Sequence, residues 1–204
     1  MREVEARENT HALAGEIIDG LRTASLNVTK KQIASITPLF QRIYSRIDPH
    51  PTFRVTQIVA ALERGKGRLH LGISDPAKSE QTYDAGPLLS SPQLNSFAVS
   101  LFLALNLALP SLKLNLTMLD DPLQSLDALN LLGLVDVLRR FRQHRQIIVS
   151  THESRLLGLL QRKLRPVRPG ERMLTITFGE WTRLGPDFET LPTEFRSEEQ
   201  VLAA

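Results

Sequence analysis

The sequence predicts an α/β fold preceded by a helical stub, and three observations carry that reading. The first is Leu114-Asn-Leu-Thr-Met-Leu-Asp-Asp-Pro122, a short apolar run that ends in two carboxylates and a proline. Leu114, Leu116, Met118 and Leu119 suit a buried strand, and Asp120 and Asp121 then sit at its carboxyl end, where open α/β sheets place their ligands. The second is Gln146-Ile-Ile-Val-Ser150, another short buried strand between two helix-period segments. The third is the helical spacing of apolar residues through residues 2–48.

Composition sets the outer limits. A chain of 204 residues is long enough for one domain with a real core and an appendage. At 42% hydrophobic residues it is a globular rather than a disordered chain. A formal net charge of +3 and a pI of 9.5 permit contact with nucleic acid without arguing for it. The absence of cysteine excludes disulfides, zinc–thiolate sites and cysteine nucleophiles. The opening Arg2-Glu3-Val4-Glu5-Ala6-Arg7-Glu8 is charged and unlike a signal peptide. The longest apolar stretch, Phe97 to Leu109, is interrupted by Ser100 and Asn106 and is too short to span a bilayer. A cytoplasmic location, away from the membrane, is the expectation.

In chain order, Leu13, Ile17, Leu21, Ile33, Ile36, Phe40, Ile43 and Ile47 recur at helical spacing, with Asn27-Val28-Thr29 as the candidate interruption. Asp48-Pro49-His50-Pro51 stops the helix, because each proline restricts the residue before it. Phe53–Leu62 and Arg68–Ile73 read as two strands joined by Glu63-Arg64-Gly65-Lys66-Gly67, an antiparallel hairpin. Residues 75–88 are polar and read as a loop. Ser91 as N-cap and Pro92 as first helical residue launch a helix to about Leu109 that is apolar nearly all round. After the acid pair, a helix runs from Ser125-Leu126-Asp127, with Leu129 to Phe141 inside and Arg139, Arg140 and Arg142 outside. Thr151-His152-Glu153-Ser154 turns from the next strand into the helix Arg155–Lys163. A basic loop from Arg165 to Arg172 leads to a final strand at Met173–Phe178, and residues beyond Gly185 read as a charged tail. This divides the chain into a helical stub at 1–48, an α/β body at 49–185 and a tail at 186–204.

Each candidate site residue also has a plain structural explanation. Paired Asp at a strand end serves equally as turn acid and cap, Ser91-Pro92 is a helix start, and Ser125 and Asp127 suit helix caps. His11, His50, His70 and His144 have no partner pattern and read as structural. What outweighs the separate explanations is the joint occurrence, in order, of Leu89-Ser90-Ser91-Pro92-Gln93, Asp120-Asp121-Pro122, Ser125-Leu126-Asp127 and Ser150-Thr151-His152.

In that order and spacing the chain, over about residues 30–180, resembles the carboxyl-terminal lobe of an SMC-type ATPase head (structural maintenance of chromosomes), a branch of the ABC ATPases. It is similar to the DNA-repair and phage-defence members whose second acid is Asp rather than Glu. The resemblance implies the C-terminal half of a P-loop NTPase head of α/β fold, with the N-terminal helix as the end of a coiled-coil arm. It implies that Asp120 is the Walker B acid holding Mg2+ on ATP and that Asp121 is the base that polarises the attacking water. Asp127 resembles the D-loop acid and His152 the switch histidine that meets the γ-phosphate. Ser90, Ser91 and Gln93 resemble the signature motif, whose helix N-terminus faces nucleotide on the opposing subunit of a homodimer of complete heads. Gln124 is a further nucleotide contact on the same ground. DNA is the implied partner, with Arg139, Arg140, Arg142, Arg145, Arg165, Arg168 and Arg172 as candidate phosphate contacts.

Two departures from the family pattern qualify the expectation. Pro92 stands where signature motifs usually have Gly, and it removes one backbone donor. No G-x4-G-K-[ST] loop is present: Gly15…Gly20 continues Leu21-Arg22, and Gly67…Gly72 continues Ile73-Ser74. The leading expectation is an ATPase only when completed by a Walker A-bearing N-terminal lobe, in the same protein or a separate chain. The alternatives are a degenerate, non-catalytic dimerisation or regulatory module of the same fold, and a metal-dependent phosphoesterase built on Asp120, Asp121 and His152.

Overall fold

The computed structural model describes residues 2–63, 66–78, 81–108, 113–122 and 127–195. The chain divides into two compact units, Met1–Leu112 and Lys113–Ala204.

The first unit is built on one long helix, α1 (Arg2–Ile47). At 1.5 Å per residue it extends about 70 Å. Asn27-Val28-Thr29 does not interrupt it, because the Thr29 hydroxyl donates to the Ser25 carbonyl (2.9 Å) and takes up its hydrogen-bonding capacity inside the helix. Pro38 lies within the helix as well. Only the C-terminal part of α1 is packed. Ile36, Phe40, Ile43, Tyr44 and Ile47 are buried, whereas Leu13, Ile17, Leu21 and Val28 stand exposed along the N-terminal part. Phe97, from helix α3 (Ser91–Ala108), meets Phe40 edge-on at 4.7 Å and Tyr44 at 5.2 Å between ring centroids.

The antiparallel hairpin is present as β1 (Val55–Glu63) and β2 (Lys66–Ser74), in register from Val55↔Ser74 to Glu63↔Lys66. Gln41 ties α1 to the start of this sheet: its carbonyl accepts from the Thr56 N–H (2.6 Å) and hydroxyl (2.8 Å), and its amide donates to the Arg54 carbonyl. The segment expected as a loop carries a third strand, β3 (Thr82–Asp84), and a short helix, α2 (Ala85–Leu88). Its sequence shows no strand period; pairing with β2 creates the strand. Gly72 leaves room for that pairing: a Cβ there would lie 2.5 Å from Thr82 Cγ2, and the Thr82 side chain would have to shift. His50 is structural, its Nδ1 accepting from Thr52 N and Phe53 N at 3.1 and 2.9 Å.

The second unit begins with β4 (Leu116–Asp120), which pairs in parallel with β5 (Gln146–Ser150) through the crossover helix α4 (Ala128–Phe141). Helix α5 (Ser154–Lys163) follows. The apolar side of α4 (Leu131, Leu134, Val135, Leu138, Phe141) and Leu156 and Leu160 of α5 are buried. β4 differs from the buried strand expected: Thr117 and Leu119 are covered, but Met118 is 63% exposed, and Leu114 lies outside the strand. Met118 is paired with Ile148, itself exposed, so one face of the parallel pair is bare.

Gly185–Glu194, expected as charged tail, is strand β7, antiparallel to β6 (Arg172–Thr182). Its prolines are tolerated because, among the described residues, β7 pairs on one edge only. Gln161 of α5 donates to Thr175 of β6 (3.4 Å). On the opposite side of this hairpin Leu174, Ile176, Phe178 and Phe188 are exposed. Arg142 joins α4 to the loop after α5, donating to the carbonyls of Leu164 (2.7 Å) and Arg165 (2.9 Å) and pairing with Glu171 at 3.6 Å. Glu171 also accepts the Val167 N–H at 2.8 Å. That hydrogen bond, more than the Arg142 charge, holds the Glu171 carboxyl below its usual range.

Two stability predictions follow from these contacts. Tyr44 is 1% exposed and, among the described residues, its hydroxyl has no hydrogen-bond partner; burial, then the Asp48 charge, keeps the phenol protonated well above its ordinary range. Tyr44→Phe should therefore raise stability to urea, by about 1 kcal/mol. Glu171 has a lowered folded-state pKa, so its contribution is present above the ordinary value of 4.5 and is lost as pH falls through the lower folded value. Glu171→Gln should lower the melting temperature at neutral pH, and the gap from the parent should close as the solution is acidified below that value.

Candidate functional site

The ladder between β4 and β5 determines what stands at their carboxyl ends. Its last pair is Asp120↔Ser150, and the Asp121 N–H extends it by donating to the Ser150 carbonyl (2.9 Å). On each strand alternate side chains share a face. Asp120 therefore lies on the side of Met118, with Ser150 beside it on the side of Ile148. That is the bare face of the parallel pair.

The Ser150 hydroxyl donates to Asp120 Oδ1. Asp121 has φ +42°, the one non-glycine residue with positive φ among those described. Aspartate tolerates this left-handed region better than most residues. Its Oδ2 lies 2.7 Å from His152 Nδ1, and its Oδ1 accepts from the Thr151 hydroxyl at 3.5 Å. Thr151 is itself anchored by the Glu153 N–H (3.1 Å). The Asp121 side chain is 20% exposed and that of His152 is 70% exposed. With Nδ1–H directed at the carboxylate, a neutral His152 presents Nε2 outward as an acceptor; protonated, it presents a donor. Asp120, Asp121 and His152 are thus brought together as the sequence predicts. Ser150 and Thr151 also contact the acids directly; the sequence pattern groups them with His152 but assigns neither a role of its own.

The other predicted residues are placed differently. Asp127 caps α4, its Oδ1 accepting from Leu129 N (3.0 Å) and Asn130 N (2.8 Å), so its carboxylate is engaged by its own helix rather than by the acid pair. Gln124 and Ser125 lie outside the described residues. In the first unit Ser90 rather than Ser91 caps α3: the Ser90 carbonyl accepts from Leu94 N (2.9 Å), and Gln93 Oε1 accepts from the Ser90 N–H (3.0 Å) and hydroxyl (3.1 Å). Gln93 reaching back over Ser90 is one half of a capping box. Pro92 is then the second helical residue, and Ser90 and Ser91 are exposed at the helix start.

Asp120 offers hard oxygen donors at a rigid strand end. Among the described residues no three His, Asp or Glu side chains are grouped to hold a metal ion. This donor set fits Mg2+, which takes one or two carboxylates together with substrate phosphates, and does not fit an all-protein cage. The acid pair lines neither of two hollows formed by other described residues. One, about 350 Å3, lies against Leu132 and Leu159 between Arg155 and Arg162; the other, about 500 Å3, lies between α1 and the tip of the β1–β2 hairpin.

The left-handed backbone at Asp121 is testable by itself. Asp121→Gly and Asp121→Val lose the same contacts to His152 and Thr151, so their difference reads the backbone. Asp121→Val should be less stable than Asp121→Gly by about 1–2 kcal/mol, the cost of a side chain that disfavours positive φ. Urea denaturation of both variants reads the difference.

No protein-family model matches the chain, and no curated protein matches it in sequence. Solved structures do match in fold. One, described under ATP-driven dimerization and DNA stimulated activation of SMC ATPases, aligns with 15% identity and a TM-score of 0.54 over 87% of this chain and 92% of that one. An Smc head bound to the C-winged helix domain of ScpA aligns with 16% identity and a TM-score of 0.57, over 87% of this chain and 47% of that one. The Smc head of Pyrococcus furiosus, with an extended coiled coil and bound to the C-terminal domain of ScpA, aligns with 15% identity and a TM-score of 0.56, over 99% of this chain and 46% of that one. The chain thus spans nearly all of the first and just under half of the other two. At these identities the likeness establishes architecture: this chain has the α/β fold of SMC-type ATPase heads, with a long N-terminal helix ahead of its sheets.

Proposed function

We propose that the chain is the carboxyl-terminal lobe of an SMC-like ATPase head, and that Asp120, Asp121 and His152 are the metal and water half of a nucleotide site that a Walker A-bearing N-terminal lobe completes. The observation that carries this reading is the bare face of the β4–β5 pair. Parallel sheets are covered on both faces in folded proteins. Here Met118 and Ile148 are uncovered on the face that ends in Asp120 and Ser150. An element that covers those apolar side chains arrives beside the acids. Neither glycine pair of the chain supplies a phosphate loop, since Gly15 and Gly20 lie inside α1 and Gly67 and Gly72 inside β2.

Each residue has a task in the completed site. Asp120 holds Mg2+ alongside the phosphates; the cation, when bound, offsets the negative charge that develops during phosphoryl transfer. Asp121, fixed by its backbone and by His152, accepts the hydrogen bond of the attacking water and orients it. His152 contributes Nε2 at the γ-phosphate side. The exposed N-terminus of α3 at Ser90 and Ser91 serves nucleotide on the opposing head through its N–H groups and hydroxyls. Asp127 acts across the same dimer interface while capping α4. The exposed apolar stripe of α1 is the seam for the other strand of a coiled-coil arm. In this reading residues 1–48 are the arm's end, and the lobe expected at 49–185 extends through β7 to Glu194.

DNA coupling, in repair or phage defence, belongs to the same reading, and the structure narrows its candidates. Arg142 is committed to Leu164, Arg165 and Glu171, Arg145 to Leu114 and Asn115, and Arg172 to Glu194. Arg139, Arg140, Arg165 and Arg168 are exposed and remain the phosphate contacts to test.

The second reading, a non-catalytic dimerisation module, draws on Pro92, which removes an N–H from the first turn of α3. One experiment separates the two. The isolated chain should hydrolyse little ATP, addition of a matching Walker A lobe should restore turnover, and Asp121→Asn should lower it by about 10²–10⁴-fold. Restored turnover that is indifferent to both Asp120→Ala and Asp121→Asn overturns the proposal; biological activity of the assembled complex that survives Asp121→Asn favours the non-catalytic module.

A further inference from the structure

We infer that Ser150 is a positioning residue for the Asp120 carboxylate, orienting it for a divalent cation; the inference rests on the reading of Asp120 as the metal-holding acid. The end of β5 serves the end of β4 residue by residue. Ser150 donates to Asp120, whereas Thr151 and His152 both engage Asp121. The two acids are held unequally. Asp121 is fixed by a left-handed backbone, by its N–H on Ser150, by an imidazole and by a hydroxyl. Asp120 has the Ser150 hydroxyl on Oδ1 as its single side-chain hydrogen bond among the described residues.

That difference matches two different tasks. A base that aligns a water must be immobile. A cation ligand must present one oxygen in a defined direction. A hydrogen bond to the other oxygen of a ligating carboxylate supplies that direction, and such outer partners contribute about 10–100-fold to metal affinity. Ser150 occupies Oδ1, so Oδ2 is the oxygen left for the cation. The serine is itself held in place: its backbone is in the parallel ladder with β4, opposite Asp120, and its carbonyl accepts from Asp121. Hydroxyl and carboxylate therefore keep a fixed separation set by the sheet. A serine there merely to finish the strand would also satisfy a polar group at the sheet end, but its loss would leave cation affinity untouched.

The test uses the full chain and Mn2+, whose paramagnetism broadens nearby amide resonances even at low occupancy. In the parent chain, Mn2+ should broaden the amides of Met118–Asp121 and Ser150–His152 first, and excess Mg2+ should reverse the effect. Ser150→Ala should require about tenfold more Mn2+ for the same broadening. Ser150→Thr, which keeps the hydroxyl, should restore the parent midpoint; unchanged resonances elsewhere in both variants report an intact fold. If Ser150→Ala keeps the parent midpoint while Asp120→Asn abolishes the local broadening, the cation reading stands and the role of Ser150 is refuted. If the Asp120→Asn chain broadens like the parent, the reading of Asp120 itself fails, and the inference with it.

Discussion

A parallel pair of strands needs a crossover to connect it and cover on both faces, and that requirement governs the second unit. The crossover is α4, with its apolar side buried. The ladder that results sets Asp120 level with Ser150 and brings Thr151 and His152 against Asp121. The same geometry leaves the other face, with Met118 and Ile148, uncovered. Asp120 and the uncovered Met118 and Ile148 therefore share one face of the pair. The antiparallel β6–β7 hairpin tolerates a wet face more easily, yet it too exposes Phe178 opposite Phe188. A pair of exposed phenylalanines on a two-stranded ribbon calls for cover by another element.

The fold was legible where local pattern and tertiary outcome agree. The β1–β2 hairpin, the α3 start around Ser90 and Ser91, the β4 and β5 strands and the Asp127 cap all carry local chemistry that survives packing. Other elements owe their form to partners. β3 exists because β2 offers it an edge and Gly72 leaves it room. β7 contains Pro186 and Pro192, which it accommodates because an edge strand needs no N–H at those positions. Periodicity reported that β4 is apolar, but it carries no information about which of its faces another element covers.

The site divides in the same way. Two carboxylates at one strand end and a histidine at the next are chemically conspicuous, and a parallel crossover brings adjacent strand ends together. Ser150 and Thr151 stand beside His152 in the sequence pattern, but short polar side chains end many strands, so the pattern assigns their hydroxyls no partner. Only the register, Asp120 against Ser150, distinguishes them. Asp127 shows the converse. Its cap on α4 is sufficient reason for an aspartate there, so its identity adds little to the functional reading unless the opposing head is also present.

The identity of the second acid is tied to its backbone. The second acid of this chain is an aspartate. Aspartate is among the non-glycine residues that best accept positive φ, and Asp121 has φ +42°. The left-handed turn places its short side chain within 2.7 Å of His152 Nδ1. A glutamate would add one methylene to that span and would lose the conformational tolerance of aspartate at positive φ. The shorter acid, the left-handed residue and the paired histidine therefore form a single arrangement, in which backbone conformation supplies the reach that the side chain lacks.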